Sequence, residues 1–214
     1  SSWIAGGALY RALGRLDASF DLLRRAIALR PDDSLGHFNH AKTLDHLQRE
    51  HQALVGYDMA LRLRPDFAEA SINRAQLLRN LNRHEEALTS CERAIALKPA
   101  LAAAHLTRGN VLRDLARHDE ALASCNRSIS IRKDYAEAFT YRAIALSLLG
   151  RYDEASASYR RSIALKPDYA KAYCNLGLLQ LLLGNYEEGW GHYEWRWGAG
   201  PATARMKDIA QPLW

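Results

Sequence analysis

The sequence predicts an all-α solenoid of about six helix-turn-helix repeats, and three observations carry that prediction. Pro31, Pro65 and Pro99 stand 34 residues apart and Pro167 follows after twice that interval, with Lys133 where the missing member would fall. Each of these positions lies in one recurring phrase: RAIALRPDD, MALRLRPDF, RAIALKPAL, RSISIRKDY and RSIALKPDY. Apolar residues within each period recur at three and four spacing, which marks amphipathic helices rather than strands.

The repeats fall near 1–33, 34–67, 68–101, 102–135, 136–169 and 170–197, so that 1–197 form the solenoid and 198–214 a tail or a linker to a further domain. The first, trimmed at its start, carries Trp3, Gly7 and Tyr10, then Ala26 ahead of Pro31. The second opens near Ser34 and closes on Pro65. In the third, Ile72, Ala75 and Leu78 line one helix, and Ala87, Leu88, Cys91, Ala94 and Ile95 line the next, which begins RHEEALTSC. The fourth opens near Ala102 and repeats that phrase as RHDEALASC. Its Lys133 removes the proline that would stop the second helix, which is expected to run on by a residue or two. The fifth, from Ala136, carries RYDEASASY and closes on Pro167, and the sixth, from Ala170, becomes irregular at its end. Small residues fill one column of the first helices (Gly7, Ala41, Ala75, Gly109, Ala143, Gly177) and one of the second (Ala26, Ala60, Ala94, Ser128, Ser162), where closely packed helices leave no room for branches. One repeat cannot bury its own faces, so the repeats must stack.

This period and its columns resemble the tetratricopeptide repeat over nearly the whole chain. The resemblance implies a right-handed superhelix whose first helices line a concave groove that receives an extended peptide. The matching columns place Lys42, Asp45, His46, Asn73, Gln76, Arg79, Asn80, Asn110, Arg113 and Asp114 on that groove. Further along they hold Ile144, Leu148, Leu178, Leu181 and Leu182, so the groove is expected to turn apolar, as contact surfaces do. One column reads Asn39, Asn73, Thr107, Tyr141 and Asn175. A primary amide both donates and accepts, so it can grip a peptide group whatever side chain is attached. The column resembles the asparagine ladder in the repeat arm of protein O-linked N-acetylglucosamine transferases, with two rungs replaced, at Thr107 and Tyr141. Alternatively, these asparagines satisfy neighbouring helix ends.

Composition narrows the function classes. Among the 214 residues 48% are hydrophobic, and the formal net charge of +5 is spread without blocks. No stretch approaches the roughly 18 apolar residues of a membrane span, and the first residues lack a signal-peptide pattern, so a cytoplasmic protein is expected. Three cysteines, Cys91, Cys125 and Cys174, with no CxxC pair, indicate neither a disulfide framework nor a zinc site. Cys91 and Cys125 occupy equivalent places in neighbouring repeats, expected too far apart for a disulfide and therefore core residues. His37, His40 and His46 are the best metal candidates, against the plainer reading of ordinary helix histidines. An arginine column (Arg15, Arg49, Arg83, Arg117, Arg151) could track phosphates, but it lies where each first helix ends, and interaction there is the simpler reading. No nucleophile, acid–base pair and charge stabiliser converge, so no enzyme and no cofactor are expected of this chain.

The last helix is aromatic, in the string GNYEEGWGHYEWRW. Columns place Trp190, Tyr193 and Trp197 in the core and Trp195 on the surface, while Arg196 occupies a column that must be small for a next repeat to stack. The string YEEGWGHYEWRW followed by QPLW resembles the junction in bacterial tetratricopeptide proteins whose repeats join a glycosyltransferase-like domain. That resemblance implies the repeat arm of a longer protein, and a chain opening on Ser1 is consistent with an excised piece. The expected function is a protein-protein interaction scaffold binding peptides or partner proteins. Leu178, Leu181, Leu182, Trp195 and Trp214 are then a docking surface for an attached domain or for a second copy in a homodimer. A self-associating assembly module and an RNA-binding solenoid are the alternatives.

Overall fold

The computed structural model describes residues 2–197, the side chain of Ser2 excepted, and among them every regular element is helical. In chain order these are α1 (Ser2–Ala12), α2 (Leu16–Leu29), α3 (Ser34–His46), α4 (Glu50–Leu63), α5 (Ala68–Asn80) and α6 (His84–Leu97). They continue as α7 (Ala102–Asp114), α8 (His118–Ile131), α9 (Ala136–Leu148), α10 (Tyr152–Leu165), α11 (Ala170–Leu182) and α12 (Tyr186–Tyr193), before a 3-10 turn, Glu194–Trp197. This is an all-α repeat fold. The tail 198–214, and with it Trp214, lies outside the described residues.

The chain divides into two compact units, residues 1–111 and 112–214, with the boundary inside α7. In the first unit α1 pairs with α2, α3 with α4 and α5 with α6, and α2 packs on α3 and α4 on α5. In the second, α9 pairs with α10 and α11 with α12, and α8 packs on α9 and α10 on α11. The small-residue columns sit at the seams. Ala41, Ala60, Ala75 and Ala94 have no exposed surface in the first unit, nor have Ser128, Ala143 and Ser162 in the second. Around them close Leu23, Tyr57, Leu77 and Leu78 in the first unit and Leu146 and Leu176 in the second.

Each first helix ends through a residue with left-handed backbone: Gly14, Gln48, Asn82, Ala116, Gly150 and Gly184, one period apart. The next N–H then reaches back over the end of the helix, as Arg83 does to the Leu78 carbonyl at 2.8 Å. In the first five repeats these next residues are the arginine column, and in the sixth Asn185 takes the place. Lys133 does not lengthen its helix: α8 stops at Ile131, the column where α6 and α10 stop before their prolines. The stop comes from the turn itself. The Arg132 N–H donates to the Ser128 carbonyl at 3.0 Å and the Arg132 guanidinium lies 3.2 Å from the centroid of the Tyr135 ring, as Arg64 lies over Phe67 and Lys166 over Tyr169.

Candidate functional site

In the first unit, α3 and α5 present the expected groove columns, and a cavity of about 660 Å³ gathers part of them. Lys42 and Asn73 share its lining with Leu35, Phe38, Arg64, Asp66, Phe67, Glu69 and Lys98. The Phe38 and Phe67 rings stand 4.7 Å apart, and the Lys42 ammonium lies 5.6 Å from the Phe38 centroid. Burial, helped by the nearby Arg11, holds the Lys42 pKa below the usual lysine value against the opposite pull of Asp45. Lys98 bonds Glu69 at 2.7 Å across the mouth. The two phenylalanines escaped the sequence reading; the signal that could have found Phe67 is the aromatic its column repeats as Tyr135 and Tyr169.

The asparagine column is not uniform. The Asn39 amide is occupied: its Nδ2 donates to the Leu35 carbonyl at 2.9 Å and its Oδ1 accepts from Arg11 at 3.2 Å, while Arg11 also bonds the Asn39 carbonyl at 3.0 Å. Thr107 donates to the Ala103 carbonyl at 2.9 Å and accepts from Gln76 at 3.4 Å. Asn73, half-buried, makes no side-chain hydrogen bond among the described residues. Asn110 is buried with an unpartnered Oδ1, Asn80 is exposed and Arg79 is half-buried.

In the second unit, Arg113 holds Asp114 with two contacts, 2.6 and 3.1 Å, and lies 5.7 Å from the Tyr141 centroid. The Tyr141 hydroxyl accepts from Lys171 at 2.7 Å. Asn175 has a buried Nδ2 without a partner. Leu148, Leu178 and Leu182 are exposed at 52%, 49% and 68%, so this face is apolar. Leu181 turns instead onto α12, against Gly189.

The aromatic end corrects the column reading. Trp190 and Trp197, expected in the core, are 55% and 59% exposed, and Tyr193 is half-buried. Trp195, expected outside, stacks on Tyr173 with centroids 4.1 Å apart and planes at 4°. For Trp195 and Trp197 the cause is the 3-10 turn, which advances by about 120° per residue instead of about 100°, so columns carried over from an α-helix point elsewhere. Trp190 precedes that turn, within α12, in a column that is only half-buried at Ser156.

The arginine column has partners of its own. Arg83, Arg117 and Arg151 each clasp the glutamate three residues on, Glu86, Glu120 and Glu154, through both carboxylate oxygens at 2.6–2.9 Å. Arg15 and Arg49 lie over the Tyr10 and Phe20 rings. Arg83, Arg117 and Arg151 thus each carry a carboxylate beside the guanidinium, which lowers the charge this part of the column presents. His37 bonds the Pro31 carbonyl at 2.8 Å, His40 lies 5.0 Å from the Phe20 ring, and among the described residues no group of His, Cys, Asp and Glu converges as metal ligands do. Cys91 and Cys125 are buried free thiols, and burial pushes each up to about 12.

Sequence-family models described as TPR repeat and tetratricopeptide repeat match residues 145–184, residues 51–102, and residues 1–33 with 102–135. No curated protein matches the chain. Among solved structures, the chain is similar to PilW, a widely conserved type IV pilus biogenesis factor, with TM-score 0.83 and 18% identity over 99% of this chain and 94% of that one. TTC0263, a thermophilic TPR protein of Thermus thermophilus, gives TM-score 0.71 and 25% identity over 84% and 98%. YrrB, a TPR protein with an unusual peptide-binding site, gives TM-score 0.60 and 23% identity over 81% and 89%.

Proposed function

Because the chain belongs to the tetratricopeptide-repeat family, we propose that it is a non-catalytic scaffold that binds an extended peptide along its first helices, as the repeat arm of a larger glycosyltransferase-like protein. The observation that carries the peptide reading is the cavity around Asn73. A half-buried primary amide with free donors and an acceptor sits beside the mutually tilted rings of Phe38 and Phe67, so one group can hold a peptide unit while the rings take an apolar side chain. The exposed leucines of α9 and α11 extend the same function to apolar partners. The peptide-binding site named for YrrB supports this choice among the uses of the fold. A cytoplasmic location goes with it, since buried, unpaired Cys91 and Cys125 suit a reducing compartment.

Titration of several unrelated extended peptides by fluorescence polarisation tests the reading. Asn73→Ala is expected to weaken all of them by a similar factor, about five- to tenfold, at unchanged thermal midpoint. Asn39→Ala should instead lower the midpoint, because it strips partners from Arg11 and Leu35. Loss confined to one peptide, or no loss, overturns the ladder. The transferase context rests on the string YEEGWGHYEWRW with QPLW and is read directly from the gene beyond Trp214. A following α/β domain supports the arm, and a stop codon there leaves a free-standing adaptor.

The exposed Trp190 and Trp197 favour a second reading, self-association through the aromatic end. A mass by light scattering that falls towards the monomer on dilution would support it.

A further inference from the structure

Ser71 interrupts a column of rings. The corresponding residues of the other repeats are Trp3, His37, His105, Phe139 and Tyr173. Where the ring is histidine it bonds the carbonyl of the proline six residues earlier: His37 Nε2 lies 2.8 Å from Pro31 O and His105 Nε2 lies 2.9 Å from Pro99 O. Ser71 cannot reach so far. Its hydroxyl donates to the Phe67 carbonyl at 3.4 Å, and the Pro65 carbonyl is met instead by Arg93 Nη2 at 2.6 Å. The room left is a cavity of about 300 Å³ between α4, α5 and α6, on the flank of α5 away from Gln76 and Asn80.

A second departure from the repeat falls in the same place. Arg62 stands in a column that otherwise reads Ala28, Ala96, Ser130 and Ala164, and it lines this cavity together with Arg74, Arg93 and Asp58. The one acid is already committed, since Arg74 Nε holds Asp58 Oδ1 at 2.6 Å while Arg74 Nη1 bonds Ser90 Oγ at 2.7 Å. Glu92, next to Arg93 in sequence, pairs with Arg108 at 3.9 Å. Arg62 makes no ion pair among the described residues, and Arg93 keeps Nε and Nη1 without acceptors there. Two exposed guanidiniums therefore line a concave, hydroxyl-bearing site whose one carboxylate, Asp58, is held by Arg74.

We propose that this cavity binds a phosphate-type oxyanion, either free or carried on a phosphorylated side chain of a partner protein. Forked guanidinium donors match the oxygens of a tetrahedral anion, and several together hold it far better than one. The site owes nothing to the asparagine column or to the groove, so it stands or falls independently of peptide binding there. It also makes the junction of the second and third repeats chemically distinct from the others, through two changes: Ser71 opens the space and Arg62 supplies the charge.

The repeats themselves supply the control variants. Arg62→Ala and Ser71→His each install the residue type that neighbouring repeats carry, and the thermal midpoint checks that the fold is kept. Calorimetric titration of the whole chain with inorganic phosphate, and separately with N-acetylphosphoserine amide, is expected to show saturable binding that either variant weakens by about tenfold or more. Tighter binding of the phosphoserine amide assigns the site to a modified partner, and tighter binding of inorganic phosphate to the free anion. Should Ser71→His fail to fold, Arg62→Ala still decides. No saturable binding of either probe, or binding unchanged in Arg62→Ala, overturns the proposal.

Discussion

Arg74 Nε donates to Asp58 Oδ1 at 2.6 Å, joining α5 to α4 through side chains 16 positions apart in sequence. The spacing recurs as Arg108 with Glu92, at 3.9 Å. In the second unit Arg142 occupies the same column, but the residue in the acid's place is Asn126, and Arg142 Nε is buried with no partner among the described residues. An unmet buried donor is costly. Asn126→Asp is expected to restore the pair and stabilise the protein by about 0.5–1 kcal/mol, read from the urea midpoint. A midpoint that does not rise would mean that water already satisfies the guanidinium.

Ala116 adopts φ 58° at the end of α7, where Gly14, Gly150 and Gly184 stand in other repeats. A Cβ in left-handed backbone costs about 1–2 kcal/mol, part of which glycine gives back through its freer unfolded chain. Ala116→Gly is therefore expected to raise stability by about 0.5–1 kcal/mol in chemical denaturation. Lower stability would show that the turn tolerates Ala116 without strain.

What could be read from the sequence was whatever repeats with a constant period. Helix order and the small-residue seams both follow from 34-residue columns, because equivalent residues meet equivalent neighbours. The misses come where that equivalence fails. Trp197 leaves its column because the helix becomes 3-10 at Glu194, whereas Trp190, still in α12, stands in a column that is only half-buried at Ser156. The end of α8 was expected to shift without its proline, yet the cation over Tyr135 holds the same turn. Asn39 and Asn73 share a column but not a state, since Arg11, 28 residues before Asn39, reaches only the former. Such a contact depends on side-chain reach between helices, which a pattern of types along the chain does not encode.

His40 stands in the column of Arg74, Arg108 and Arg142, but it packs on Phe20 and its Nε2 is buried without a partner. Burial first, and the neighbouring His37 second, push its pKa below the ordinary 6.5. The unfolded chain therefore takes up the proton more readily than the folded one. The stability this neutral ring contributes is complete above the ordinary value and is lost as pH falls through it towards the depressed one. His40→Phe keeps the ring against Phe20 and removes the titration. Thermal midpoints from pH 8 down to 5 are expected to fall less steeply in the variant. Parallel curves would show that His40 is protonated in the fold without penalty.

At Gly177 α11 and α12 pack so closely that a Cβ would stand 2.6 Å from the Tyr193 nitrogen and 2.7 Å from the Gly189 oxygen. Both atoms are backbone, so no rotamer change can make room and the two helices must part. Beyond that seam the chain turns into Glu194–Trp197, which lays Trp195 flat on Tyr173 of the same α11. Displacing α12 therefore breaks the stack as well as the seam. Gly177→Ala is expected to cost about 1–3 kcal/mol, the usual range for forcing an extra carbon into packed structure. Near-ultraviolet circular dichroism should lose its aromatic signal together with that stability. In a Trp195→Phe background the dichroic change should shrink while the stability loss remains, because the seam would still be forced and only the indole would be missing. A native spectrum and an unchanged midpoint in Gly177→Ala would mean that α11 and α12 can separate without cost, and that the close approach at Gly177 does not hold the aromatic end in place.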